Sequence, residues 1–350
     1  MEGNGNSRRL CRQYTEDSSS LDLDGRHMEG NGNSRRLCRQ YSSGLDLDRK
    51  CLEMARRQFC LDIGLPWDEY VKNSEKSVFI QKSVYAPNSL DIASIGARNY
   101  VEKNSFFRAI ICLGQLFICC DKSIYDWVKE QYSQCKPEWF CAFGNLRRLE
   151  EKLKEHGHRI CDTHVYFLPE AVEGRKLGED IAAGRNKRTK VSCEVYEQAF
   201  EEDSQAVRFS EQQFVWFEQD EILGFKDNNR FTSAISFWKG HPDVLAVAAL
   251  KKDGAAEYGN LEQGHMAGMA GASLDGAYLW QIGIDVDKEC AGQGLGHKLV
   301  RALKEEILRR GKVPFYGTSE SHIVSQTVGL KAGFVPAWTE VSAEPVKCKG

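Results

Sequence analysis

Between Tyr278 and Gly311 the chain joins a strand pattern, a loop with three glycines in five positions and a helix pattern, and few folds accept that order. Tyr278, Trp280, Ile282, Ile284 and Val286 point one way, while Leu279, Gln281, Gly283 and Asp285 point the other, as a strand requires. Asp287 to Ala291 then leads into Gly292-Gln293-Gly294-Leu295-Gly296. A helix follows, with Leu299, Leu303 and Ile307 on one face and Lys298, Arg301, Glu305 and Arg309 outside, and Gly311 and Pro314 stop it. Glycines let a backbone approach a phosphate, and unpaired first-turn amides with the helix dipole favour negative charge, so the segment reads as an anion site. A Walker loop counted from Gly292 needs a glycine where His297 stands. A dinucleotide fingerprint meets the same histidine from Gly292 and Leu299 from Gly294, so neither motif fits.

At 350 residues the prior is two domains, and 41% hydrophobic with 28% charged residues describes a chain able to bury a sizeable core. Lys+Arg 47 against Asp+Glu 50 leaves a formal charge of −3, which argues against nucleic acid or an anionic membrane as the main partner. The longest uncharged apolar stretch, Ala109 to Cys120, is too short to span a bilayer. The 13 cysteines are scattered, with no C-x-x-C pair and no Cys/His spacing for zinc, so a reduced, cytoplasmic protein without a metal is expected.

Residues 1–50 contain MEGNGNSRRLCRQY twice, at Met1 and again at Met28. An identical, polar repeat carries no face to stack on its neighbour and reads as a disordered tail of cloning origin. Residues 51–170 read as a smaller N-terminal α/β domain. Its expected parts are a helix carrying Leu52, Ala55, Phe59 and Leu61, and a hairpin from Arg108 to Asp121 turning at Gly114-Gln115. A helix through Ile124 to Tyr132, a helix capped by Asn145 and a strand from His164 to Leu168 complete it. Cys119 and Cys120 suit a strand facing both ways, and His156 and His158 flank a helix end. Residues 171–190 read as a charged linker, and residues 191–345 as a second domain. Strands are expected at Val195–Ala199, Val244–Leu250 and Gly264–Ser273, and a helix capped by Ser210 through Phe214, Trp216, Phe217, Ile222 and Leu223.

The run from Ile282 to Val341 resembles the GNAT superfamily of acyl-CoA-dependent N-acyltransferases. The family's Q/R-x-x-G-x-G/A loop falls on Ala291 to Gly296, its next strand on Val313 to Thr318, a short helix on about His322 to Ala332, and its G-F signature on Gly333-Phe334. The loop alone is a weak signal; the ordered set is strong. Strong resemblance covers Trp280 to Val341, and a weaker one reaches back to Val191. The resemblance implies an α/β (α+β) fold with a mixed, mostly antiparallel sheet flanked by helices. It also implies that acetyl moves from acetyl-CoA (coenzyme A) to the primary amine of a small molecule or peptide, by direct attack in a ternary complex.

By the same resemblance, Ile284 and Val286 pair with the pantetheine arm, and Gly292, Gln293, Gly294, Leu295, Gly296 and His297 hold the diphosphate, with Ser325 a further cofactor contact. Three positions depart from the family: Ala291 replaces Gln or Arg, Gly329 stands where many members carry a tyrosine acid, and His322 replaces a common asparagine. Asp285 is read as general base or as a carboxylate ordering a loop, and Glu320 as base or helix cap. His322 is read as acid, cofactor contact or structural residue, and Tyr316 and Ser319 as thiolate donors or as packing and capping groups. Trp280, Trp338 and Trp216 are core residues or walls of an acceptor pocket. Two further readings stay open: a non-catalytic acyl-CoA-binding or sensing module, and an N-terminal interaction module that delivers a protein substrate.

Overall fold

Twelve residues from His158 to Pro169 (β4) alternate exposed and half-buried side chains at first, then end in four consecutive buried ones. That second half belongs in the middle of a sheet, and there it lies. The computed structural model describes residues 47–72, 77–82, 96–98, 106–172, 214–226, 230–238, 240–250 and 266–346. Before β4 come helices α1 (Arg49–Ile63) and α2 (Trp67–Lys72), strands β1 (Val78–Lys82), β2 (Phe107–Cys112) and β3 (Gln115–Asp121), and helices α3 (Lys122–Tyr132) and α4 (Phe143–Lys154). After it come β5 (Phe214–Glu218), α5 (Gln219–Ile222), β6 (Asp243–Leu250), β7 (Met266–Leu274) and β8 (Leu279–Val286). The chain then adds α6 (Leu295–Arg309), β9 (Val313–Ser319), α7 (Ile323–Lys331) and β10 (Phe334–Pro345).

Among the described residues the strands form one sheet in the order β1-β3-β2-β10-β4-β9-β8-β7-β6-β5. Only β1–β3 and β8–β9 are parallel pairs, so the sheet is mixed and mostly antiparallel. Strand β4 lies between β9 and β10, and β10 in turn pairs with β2. The N-terminal α/β segment therefore supplies a strand to the interior of the C-terminal sheet. Residues 1–46 of the expected tail, most of the 171–190 linker and the expected strand at Val195–Ala199 lie outside the described residues. The tail's last four residues are ordered, Leu47 bridging to Glu170, Asp48 capping α1 and Arg49 and Lys50 opening it.

Both faces of the sheet are covered. Helix α6 packs Leu295, Leu299, Leu303 and Ile307 against Trp280, Ile282, Tyr316 and Phe334, with Val328 of α7 beside them. On the same face α3 and α4 bury Ile124, Val128, Leu149 and Leu153 against Ile118 and Val341. The opposite face is closed by α1, where Phe59 meets Phe117 and Trp338 edge-on at 5.7 and 5.2 Å. Cys120 is buried under α3 and α4 while Cys119 packs toward α1, so the adjacent pair does face both ways. His158 stacks on Phe106 at 4.1 Å, a packing role at the helix end.

Three local expectations need correction. Phe214 to Glu218 is a strand, not a helix, because Phe214 and Trp216 alternate with Val215 and Phe217 on two buried sides. The turn of the β2–β3 hairpin is Leu113-Gly114, with φ of 42° and 78°, not Gly114-Gln115. Asn145 lies inside α4, where its amide donates to Trp139 O at 2.7 Å; the N-cap position belongs to Ala142.

A buried ion network joins α1 to the sheet. Arg98 Nη2 lies 2.6 Å from Asp62 Oδ2 and 2.8 Å from Glu340 Oε1, and Arg108 Nη2 lies 2.6 Å from Glu340 Oε2. Trp338 Nε1 also donates to Glu340 Oε1, at 2.7 Å. Burial alone would raise the Glu340 carboxyl, but Arg108 and Arg98 outweigh it and hold the group down to about 2. A depressed carboxyl contributes stability that is present above its ordinary value of about 4.5 and lost as pH falls through 2. Glu340→Gln leaves two buried guanidinium groups short of an anion and is expected to cost about 3–5 kcal/mol in urea unfolding at pH 7. The variant should also lose less stability than the parent between pH 4.5 and 2.

Candidate functional site

Strands β8 and β9 run parallel for only four paired residues, Leu279↔Val313 to Ile282↔Tyr316. On its other edge β9 pairs with β4, Tyr316 to Ser319 with Phe167 to His164, and that pairing runs on past the last β8 pair. Strand β8 meanwhile stays with β7 as far as Val286↔Gly268. The edge of Gly283 to Val286 that faces β9 therefore borders a wedge-shaped gap, and all four residues are half-buried.

The glycine loop stands at the mouth of this gap. Gly292 and Gly294 both have φ of +77°, a conformation that suits glycine. Gly294 is the N-cap of α6 and offers no side chain to the first-turn amides, so the amides of Leu295, Gly296 and His297 are left without a side-chain acceptor. A Cβ on Gly296 would stand 3.6 Å from Val286, 3.7 Å from Val328 of α7 and 3.9 Å from Ile284. Ile284, Val286, Gly296 and Val328 thus converge where α6 crosses β8. Gln293 Nε2 donates to Glu289 O at 3.2 Å and braces the loop from within.

His297 is half-buried. Burial first, then the charges of Arg301, Lys331 and Lys298, push its imidazole down to about 4, so it is neutral at pH 7. Three cations around an uncapped helix start favour an anion there.

The strand end is fixed from two sides. Arg230 pairs with Asp287 and donates to Met266 O at 2.6 Å, while Asp287 N donates to Ala267 O at 2.9 Å. On the face away from α6, Asp285 Oδ2 accepts from Ser233 N at 2.6 Å and Ala234 N at 2.9 Å. That geometry fills the loop-ordering role. The segment it holds crosses so close to the sheet that a Cβ at Gly283 would meet Ser233 O at 1.8 Å, and one at Gly271 would meet Ala234 O at 2.1 Å. Facing glycines on paired strands, Gly271↔Gly283, were the available sequence signal for this crossing.

The remaining expected residues gather at the far end of β9. Ser319 closes the strand, and Glu320 and His322 are exposed beyond it. Neither acid nor hydroxyl caps α7: His322 holds the N-cap position without a side-chain bond, and Gln326 Nε2 instead donates to Ser319 O at 3.3 Å and Glu320 O at 2.7 Å. Ser325 Oγ shares a 2.7 Å hydrogen bond with the hydroxyl of Tyr316, a buried residue. Gly329 packs on the same ring, where a Cβ would approach Tyr316 Cδ1 to 3.1 Å. Among the described residues no hydrogen bond or ion pair joins Asp285 to Ser319, Glu320 or His322. Trp280 and Trp338 are buried in the two cores, and Trp216 packs at the edge of one.

Among the described residues no cluster of His, Cys, Asp or Glu could hold a metal, and no helix is long and apolar enough to cross a membrane. Residues 185–334 match the Acetyltransferase (GNAT) family. No curated protein matches the chain. Solved structures similar to it include a putative GNAT-family acetyltransferase from Novosphingobium aromaticivorans, 13% identical, covering 53% of this chain and 66% of its own, with a TM-score of 0.31. A GNAT-family acetyltransferase from Colwellia psychrerythraea is 11% identical over 53% of this chain and 56% of its own, with a TM-score of 0.28. The chain thus spans just under two thirds of the first protein and little more than half of the second. A Drosophila protein, 11% identical, aligns over 90% of this chain and 97% of its own with a TM-score of 0.34.

Two tests follow from the geometry. Gly294→Asp places a carboxylate and a strained backbone at the helix start; it is expected to abolish thermal stabilisation by coenzyme A while circular dichroism stays unchanged. For His297, the unfolded chain binds its proton near pH 6.5 and the folded one only near 4, so stability falls as pH drops between those values. An NMR titration should find the imidazole midpoint near 4, and His297→Gln should flatten the stability slope across that window.

Proposed function

We propose that this chain, whose residues 185–334 match the GNAT acetyltransferase family, moves an acetyl group from acetyl-CoA to a primary amine. The observation that carries the reading is the parting of β8 and β9 beside the uncapped start of α6. Backbone amides of Gly292 to His297 suit a diphosphate, and the free edge of Ile284 to Val286 suits an amide-bearing arm laid alongside as an extra strand. Bound there, acetyl-CoA supplies a thioester carbonyl open to a nucleophile.

The chain's own groups do the rest. A backbone amide near Val286 donates to the carbonyl oxygen as charge builds on it, a contribution of roughly 3–4 kcal/mol to barrier lowering. The amine nitrogen bonds to the carbonyl carbon, the carbon–sulfur bond breaks, and the acetyl group leaves on nitrogen. One proton leaves the amine, and one reaches the departing thiolate. Since Asp285 is engaged by Ser233 and Ala234, the exposed Glu320 and His322 are the groups through which water carries the amine proton away. Ser319 lies at the same end and is a donor for the thiolate.

A second reading has its own observation. Gly329 carries no hydroxyl, and the Tyr316 hydroxyl is tied to Ser325, so a binding or sensing module without turnover is the alternative. Thiol release measured with acetyl-CoA and a panel of primary amines separates the two. Amine-dependent release supports transfer; stabilisation by coenzyme A without release from any amine supports the binding module.

A further inference from the structure

On the sheet face away from α6, a pocket of about 160 Å³ opens beside the gap between β8 and β9, lined by Ser233, Ser236, Asp243, Ser273, Gln281 and Gly283 among others. No lysine or arginine lines it. Its axis follows the sheet: Asp243 of β6 pairs with Ser273 of β7, which pairs with Gln281 of β8. Gln281 and Gly283 stand at the end where the strands part, and Asp243 stands two strand spacings away, about 10 Å.

Asp243 is 7% exposed. Its carboxylate accepts from Phe237 N at 2.8 Å and Ser236 N at 3.4 Å, and it makes no ion pair among the described residues. Burial pushes the carboxyl above its ordinary range, and nearby Asp275 adds to the push. Asp275, 1% exposed, lies behind the pocket wall: its Oδ1 accepts from Ser273 Oγ at 2.8 Å and lies 3.2 Å from His241 Nδ1, while its Oδ2 has no hydrogen-bond partner. A buried carboxylate without a counter-ion, on the wall of an open pocket, is stabilised when a cation enters.

We propose that this pocket is the acceptor subsite and that it takes a short aliphatic amine bearing a second cationic group. The reacting nitrogen lies at the Gln281 and Gly283 end, and the second ammonium lies against Asp243, a few methylenes away. The inference rests on the acyl-transfer reading for the first end and on the pocket alone for the second.

The test compares putrescine, n-butylamine and γ-aminobutyrate as acceptors on the full chain, together with putrescine binding by calorimetry with and without coenzyme A. Putrescine is expected to exceed n-butylamine in kcat/KM by about tenfold or more, with γ-aminobutyrate the poorest. Asp243→Asn should bring the putrescine to n-butylamine ratio close to unity and remove putrescine binding. Ser236→Lys, an exposed position at the pocket rim, places an ammonium beside Asp243 and should do the same if the first variant fails to fold. A ratio near unity in the parent chain, a ratio unmoved by either variant, or a preference for γ-aminobutyrate overturns the proposal. If coenzyme A has no effect on the protein but putrescine binding persists and depends on Asp243, the pocket stands and the transfer reading falls. If coenzyme A binds and putrescine does not, the pocket assignment falls alone.

Discussion

Everything at the site depends on the parting of β8 and β9. Strand β9 bonds to β8 up to Tyr316 and to β4 from Tyr316 onward. The far half of β9 stays in the sheet through β4 on its other edge, while β8 continues on β7, so the edges of β8 and β9 that face each other beyond Ile282 and Tyr316 carry no mutual ladder. The gap is thus set by backbone hydrogen bonding, with no catalytic side chain needed to hold it open. The strand that holds the far half of β9, β4, comes from the N-terminal half of the chain.

That arrangement explains why the two halves are so firmly tied. Strand β10 is gripped on one edge by β4 and on the other by β2. Beneath it, Arg98 and Arg108 meet Asp62 and Glu340 in a buried network. Removing one partner of such a network is costly because the other charges remain buried. The gap beside β8 and the N-terminal helices therefore share one scaffold. Asp285, Arg230 and Asp287 complete it by pinning the segment around Ser233 and the loop after β8.

The local elements of the site were legible because local rules determine them. Alternation identified β8, glycines marked the loop, and apolar spacing gave α6 with its stop at Gly311. Partner choice was not legible. Nothing in His164 to Leu168 announces that it will pair with β9, because that choice is made by residues far along the chain. Phe214 to Glu218 misled because Phe214, Trp216 and Phe217 satisfy both a two-residue and a helical period. Asp243 is a carboxylate opening DVLAVAAL, where every other residue is apolar, and that contrast is its only signal in the sequence. The tie between Tyr316 and Ser325 spans a strand and a helix, so no motif encodes it.

The position of β4 also bears on how the chain is made. Arg159 bonds to Glu344, 185 residues later, in the final strand. During vectorial synthesis the β4 segment leaves the ribosome long before either of its neighbours exists. It must wait with two unsatisfied edges, an aggregation hazard of the kind that holdase chaperones shield. Such long-range closure also slows folding. A transcript truncated shortly before Phe334 would yield a polypeptide carrying every residue of the glycine loop and still unable to close its central sheet.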